Sequence, residues 1–170
     1  MSETPDSRLL VLRFRDIELP LGETIVRHKR KIAEHGFCWW GWLFRDYERN
    51  PHTELRQLAE RLNGRDSVPI ALFDTGRGAV FRADCSEIQP SSSPQRSPDP
   101  AATPDYYNDR RAPAWFRLTD IEEVDPSLVV GRTCVELPSA SEDCFIDLLG
   151  QQVTHIKDLR RQEVTLWVLG

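Results

Sequence analysis

Residues 37–44, Phe-Cys-Trp-Trp-Gly-Trp-Leu-Phe, constrain the fold more tightly than any other stretch of this chain. Their aromatic density and the breakers that flank them predict a β-strand. Side chains alternate across a strand, so Cys38, Trp40, Trp42 and Phe44 share one face. Phe37, Trp39, Gly41 and Leu43 share the other. Both faces are apolar: one covers the core, and the second needs a cover of its own, a helix or a flat ligand. Gly41 leaves a gap beside Trp39 that a ring or a backbone can enter. Two readings stay open. The tryptophans serve packing alone, or one or two of Trp39, Trp40 and Trp42 line a pocket, because aromatic rings serve both burial and base stacking.

The surrounding pattern supplies the rest of an α+β domain. Residues 9–14 read as a first strand, followed by a turn at Leu19-Pro20-Leu21-Gly22. Thr24 as N-cap and Gly36 as stop predict a helix over roughly 25–35 with a buried stripe of Ile25, the Lys29 stem, Ile32 and Ala33. Asn50-Pro51 opens a second helix that buries Leu55, Leu58, Ala59 and Leu62 and ends at Asn63-Gly64. Residues 68–73 and 79–85 flank Asp74-Thr75-Gly76-Arg77-Gly78 and predict a hairpin. Residues 89–104 hold five prolines and four serines without an apolar period, which predicts a flexible Pro/Ser-rich loop at 89–105. Residues 114–124 predict a strand with Trp115 and Arg117 on one face and Phe116 and Leu118 on the other. Residues 128–135 predict a further strand, 144–149 a short helix or strand, and 163–169 a closing strand. The expected architecture is one domain over 1–170, a small curled antiparallel sheet or β-barrel with two flanking helices.

Composition sets limits on function. No apolar run approaches the ~18 residues of a membrane helix, and the acidic, polar N-terminus argues against a targeting signal, so a cytoplasmic location is expected. The chain closes on an apolar strand without a polar tail, which predicts one module of a longer protein, covalently linked to an effector domain. Cys38, Cys85, Cys134 and Cys144 form no Cys-x-x-Cys pair, so four reduced thiols, no metal site and no cofactor are expected. The net charge of −5 argues against coating nucleic acid by bulk electrostatics.

A local basic cluster remains at residues 27–31. Arg27, Arg30 and Lys31 could meet phosphates, or form an ordinary solvated helix face. Tyr106 and Tyr107 follow the Pro/Ser-rich stretch and precede Arg110, Arg111 and Trp115. Paired tyrosines beside adjacent arginines suit a lid over a planar anion, or merely anchor the loop. Asp74-Thr75-Gly76 has no second copy to form a catalytic carboxylate pair and reads as a turn. Phosphate-loop, nucleophile-elbow and zinc-protease motifs are absent. A hydrolase would need groups such as Thr24, Lys29 and Glu48 to converge.

The order of these elements resembles the PUA-like superfamily, with its EVE, YTH and ASCH domains. The resemblance is carried by Trp39-Trp40-Gly41-Trp42 after the first helix, by the hairpin over 70–88, and by residues 115–121, Trp-Phe-Arg-Leu-Thr-Asp-Ile. It lacks the Gly-x-Lys-x-x-Glu-x-Arg pattern of ASCH domains and the Trp-x-x-Lys opening of EVE domains, which leaves the ligand class open. The resemblance implies a curled β-barrel that binds RNA or modified bases in an aromatic pocket. It places Trp39, Trp40, Trp42, Tyr106, Tyr107 and Trp115 as ligand-binding candidates, with Arg27, Arg30, Lys31, Arg110 and Arg111 for phosphates. The expected function is a sensor for a nucleobase, modified base or nucleotide, its partner a nucleotide or nucleic acid. The alternative is a protein-interaction or regulatory domain with no small-molecule ligand.

Overall fold

A computed structural model describes residues 8–16, 19–62, 67–107, 109–145 and 147–170. The chain runs β1 (Leu9–Phe14), α1 (Glu23–His35), β2 (Cys38–Trp42), α2 (His52–Leu62), β3 (Val68–Asp74), β4 (Ala79–Gln95), β5 (Ala112–Val124), β6 (Cys134–Glu136), α3 (Lys157–Arg160) and β7 (Leu166–Leu169). Single 3-10 turns sit at Pro100–Ala102, Asp105–Tyr107 and Pro126–Leu128.

All seven strands form one sheet in the order β2-β5-β4-β3-β1-β7-β6. The α+β expectation holds, but the sheet is mixed rather than antiparallel, because the chain crosses from β1 to β3 through α1, β2 and α2 and returns parallel. The expected barrel is not closed by hydrogen bonds: among the described residues β2 and β6 are the sheet's edges. The sheet nevertheless curls. Phe14 on β1 meets Trp40 on β2 edge to face at 5.2 Å, although three strands separate β1 from β2 in the ladder.

The curl creates an interior and an exterior, both apolar. Leu10, Leu12, Trp40, Trp42, Ile70, Leu72, Phe116 and Leu118 fill the interior, with Ile25 of α1 and Leu55 and Leu62 of α2 closing over it. Leu9, Val11, Phe73 and Trp167 point outward beneath the segment carrying Val129, Val153 and Leu159. Burial of β1 on both faces explains why its sequence is a continuous apolar run rather than an alternating one.

Several local expectations shift by a few residues, each for a visible reason. α1 starts at Glu23, and the acceptor for its first N–H groups is not Thr24 but Asp16, which takes Gly22 N at 2.9 Å and Thr24 N at 3.1 Å. Its buried side is Thr24, Ile25 and His28, with Lys29 and Ala33 exposed. Gly36 ends it in the left-handed region at φ 84°, where a side chain is disfavoured. α2 buries Leu55 and Leu62 as expected, while its predicted end at Asn63-Gly64 lies outside the described residues. The Asn50 side chain does not cap it and donates instead to Ser91 O at 2.8 Å. Asp74 holds a tight turn by accepting from the N–H groups of Gly76 and Arg77 and pairing with the Arg77 guanidinium at 2.8 Å. Of residues 128–135, Leu128 closes a 3-10 turn, turns follow, and only Cys134 and Val135 belong to β6; the described residues among 144–149 form no regular element. α3 is a single turn that no apolar period announced.

The Pro/Ser-rich stretch differs most from expectation. β4 continues through it to Gln95, paired with β5 across a bulge between Pro90 and Gln95. The bulge explains how prolines fit, since a bulged residue needs no ladder donor. Beyond the strand, Ala102, Thr103 and Pro104 are buried, and the Trp115 indole donates to Gln95 O at 2.8 Å. Replacing residues 96–103 with a short Gly-Ser turn is expected to cost about 2–4 kcal/mol, through the rings of the outer cluster that lose the cover of Ala102. Urea unfolding of the trimmed chain checks this; a loss no greater than the ~1 kcal/mol set by loop length would show that the stretch contributes no packing.

Candidate functional site

Where the sheet curls back, the ends of β1 and β2 face each other without a ladder and enclose a cavity of about 260 Å³. This is near the low end for small-molecule sites and has room for one flat ring system. Phe14, Trp40, Gly41, Trp42, Tyr106 and Tyr107 supply its aromatic and backbone walls.

Gly41 organises one wall. It pairs across the ladder with Trp115, whose ring lies so close that a Cβ on residue 41 would sit 2.8 Å from it. Tyr107 approaches the same glycine, and its hydroxyl accepts from Gly41 N at 3.1 Å. The gap left by the missing side chain is thus filled by the chain's own rings. Trp39, Tyr107, Ala112 and Trp115 with Ala102 form a separate cluster on this outer face of β2. Tyr106 stacks on Tyr107 at 4.4 Å and remains half-buried beside the cavity.

His28 braces the wall from α1. Its ring lies 4.2 Å from Trp40, and its Nδ1 is 2.7 Å from Thr24 O, so Nδ1 carries the proton and donates. Nε2 is then an acceptor, 3.4 Å from the Tyr107 hydroxyl. Complete burial pushes the His28 pKa down to about 4, so the imidazole is neutral at pH 7. Burial also raises the Tyr106 and Tyr107 phenols, which stay protonated.

The floor is held by a buried carboxylate. Trp42 Nε1 donates to Thr165 Oγ1 at 3.0 Å, and Thr165 in turn donates its N–H and hydroxyl to Glu48. Glu48 also accepts from Ser139 Oγ and the Arg45 backbone N–H. These partners satisfy both oxygens, and the Trp42 indole N–H is already committed within the chain. Glu48 is therefore a brace rather than a free base. Lys29 is exposed and does not line the cavity, so the three groups a hydrolase would need are not assembled there.

Guanidinium groups complete the lining: among the described residues its charged members are Arg13, Arg15, Arg45 and Arg110. Arg13 is half-buried and donates to Gln162 O at 2.7 Å. Burial lowers its pKa, and the nearby charges of Arg45 and Arg15 lower it further, against opposing contributions from Tyr47 and Glu48.

The aromatic candidates named from sequence divide between the cavity and the outer cluster, with Tyr107 belonging to both. Trp40, Trp42, Tyr106, Tyr107 and Arg110 line the cavity, whereas Trp39 and Trp115 pack in the outer cluster. Arg27 pairs with Glu23 at 3.4 Å and Lys31 with Glu34 at 3.8 Å; with Arg30 and Arg111 they lie away from the lining. Arg13, Arg15 and Arg45 escaped sequence reasoning. A signal existed: β1 runs out into Arg13-Phe14-Arg15 and β2 into Phe44-Arg45, two strands that each give way to a Phe-Arg pair.

A curled mixed sheet with a small aromatic cavity at one seam defines a pocket-bearing α+β domain. The chain belongs to the Pua-like family, whose sequence model matches residues 10–170. No curated protein and no solved structure matches it.

The depressed His28 pKa carries a stability consequence of definite sign. Unfolded, the ring titrates near 6.5; folded, near 4, so between those values the unfolded chain binds more protons. Its contribution is complete above pH 6.5 and is lost as pH falls toward 4, on the order of a few kcal/mol in total. Melting curves of the parent and His28→Gln across this window check it. The parent should lose stability more steeply on acidification, and parallel curves would contradict a neutral buried ring.

Proposed function

We propose that this domain is a sensor module that takes a nucleobase, a modified base or the base of a nucleotide into the cavity between β1 and β2. The observation that supports this most directly is the pairing of aromatic walls with charged lining residues that, among the described residues, are all arginines. A base is flat and polarisable, so it gains from ring contact, and every nucleotide brings an anion beside it. Membership of the Pua-like family supports the same reading, since such domains generally bind RNA or nucleotides. Tyr106 is the stacking residue of choice: it borders the cavity and is only half-buried, packed on Tyr107 at the margin of the outer cluster.

A second reading, an interaction or regulatory domain without a small ligand, draws on one specific observation. Trp39, Trp40, Trp42 and Trp115 are each at most 3 % exposed, covered by the chain itself. For the same reason alanine at Trp42 would be a poor probe, because loss of a core tryptophan costs ~3–5 kcal/mol of stability whatever the function.

Tyr106→Ala separates the readings. Titration of the parent with nucleotides and short oligonucleotides, followed by tryptophan fluorescence, should show binding that the variant weakens by about 1–3 kcal/mol, with little change in melting temperature. A parent that binds nothing on the panel would replace the sensor reading with the interaction-domain one.

A further inference from the structure

Arginines gather at the cavity in a chain that carries 27 acidic residues against 22 lysines and arginines. Elsewhere several cations sit beside a carboxylate: Arg27 with Glu23, Arg49 with Glu54, Arg77 with Asp74, Arg82 with Asp84. Arg15 and Arg45 make no ion pair among the described residues, and Arg13 gives its one hydrogen bond to a carbonyl. The nearby carboxylate, Glu48, has its oxygens taken by Ser139, Thr165 and a backbone N–H. Like charges gathered in a partly desolvated cleft repel one another, and an arrangement of that kind is relieved when an anion enters. Guanidinium forks match phosphate oxygens in geometry and in charge.

We infer that Arg13, Arg15 and Arg45 hold a phosphate attached to the ligand's base-bearing sugar, so that the site selects nucleotides over nucleosides and free bases. This rests on the base-binding reading above and adds the class of ligand. The phosphate can belong to a free nucleotide or to a nucleic-acid strand, and the chemistry of recognition is common to both.

The test uses the full chain and two exposed positions, Arg15→Ala and Arg45→Ala, whose removal leaves the core intact. Probes are the common nucleoside monophosphates, the matching nucleosides, inorganic phosphate and a mixed-sequence pentanucleotide. A monophosphate or the pentanucleotide should bind about tenfold or more tightly than the matching nucleoside, with an affinity that falls as salt rises. Either variant should erase that advantage while the ligand-free melting temperature stays level or rises, a combination that a structural role would not produce. Tighter binding of the monophosphate or of the pentanucleotide identifies the source of the phosphate, and either supports the site. Equal binding of nucleoside and nucleotide, or variants that bind as the parent does, overturns the phosphate site and leaves base recognition standing. Arginine-dependent binding of inorganic phosphate with no gain from a base would sustain the anion site and remove the base-binding reading. If no probe binds, both fall.

Discussion

The close approach of two aromatic rings to Gly41 is the contact on which the rest of the site depends. A strand rich in tryptophan on both faces cannot lie at an edge of a sheet in water unless each face is covered. The interior face of β2 is covered by the curl of the sheet, where Trp40 and Trp42 join the main core. The outer face is covered by Trp115, Tyr107 and the segment around Ala102, and this works because residue 41 has no side chain to hold the rings away. Tyr107 then reaches the Gly41 backbone and His28 with one hydroxyl, tying the 3-10 turn, β2 and α1 together. Tyr106, stacked on Tyr107, is positioned beside the cavity as a consequence.

The cavity exists because the curl stops short of a closed ladder. β1 and β2 are brought face to face by ring contact between Phe14 and Trp40 rather than by backbone pairing. Backbone groups at that seam are committed within the chain, Arg13 N to Thr165 O, Phe14 O to Thr75 N and Gly41 N to the Tyr107 hydroxyl, and the residues at the ends of both strands supply its charge. Below it, the relay from Trp42 through Thr165 to Glu48 fixes the floor with a buried carboxylate whose partners are all from this chain. A hydrogen-bonded polar floor, aromatic walls and, among the described residues, arginine side chains thus meet at one seam.

Local chemistry was legible in the chain. The alternation of residues 37–44 separated Cys38, Trp40 and Trp42 from Trp39 and Gly41, and the two groups occupy different clusters. The gap at Gly41, the turn at Asp74 and the stop at Gly36 were also readable from residue types, since each follows from backbone sterics, and the order of elements carried the resemblance to PUA-like domains. The Pro/Ser-rich stretch misled because composition reports the lack of an apolar period, whereas β4 extends through it by pairing its backbone with β5 and by a bulge that tolerates proline.

The sequence by itself determined the early elements β1 to β3 with α1 and α2, the faces of the tryptophan strand and the α+β class, because these depend on neighbours within a few residues. It could not determine which aromatic rings border a cavity. Trp39 and Trp40 are adjacent in the chain, yet the curl assigns one to an outer cluster and the other to the cavity wall. Nor could it assemble Arg13, Arg15 and Arg45, two from the end of one strand and one from beyond another. Those assignments depend on how far a twisted sheet bends to bring its edge strand β2 over β1, a property of all the strands packing together, and only the tertiary structure decides it.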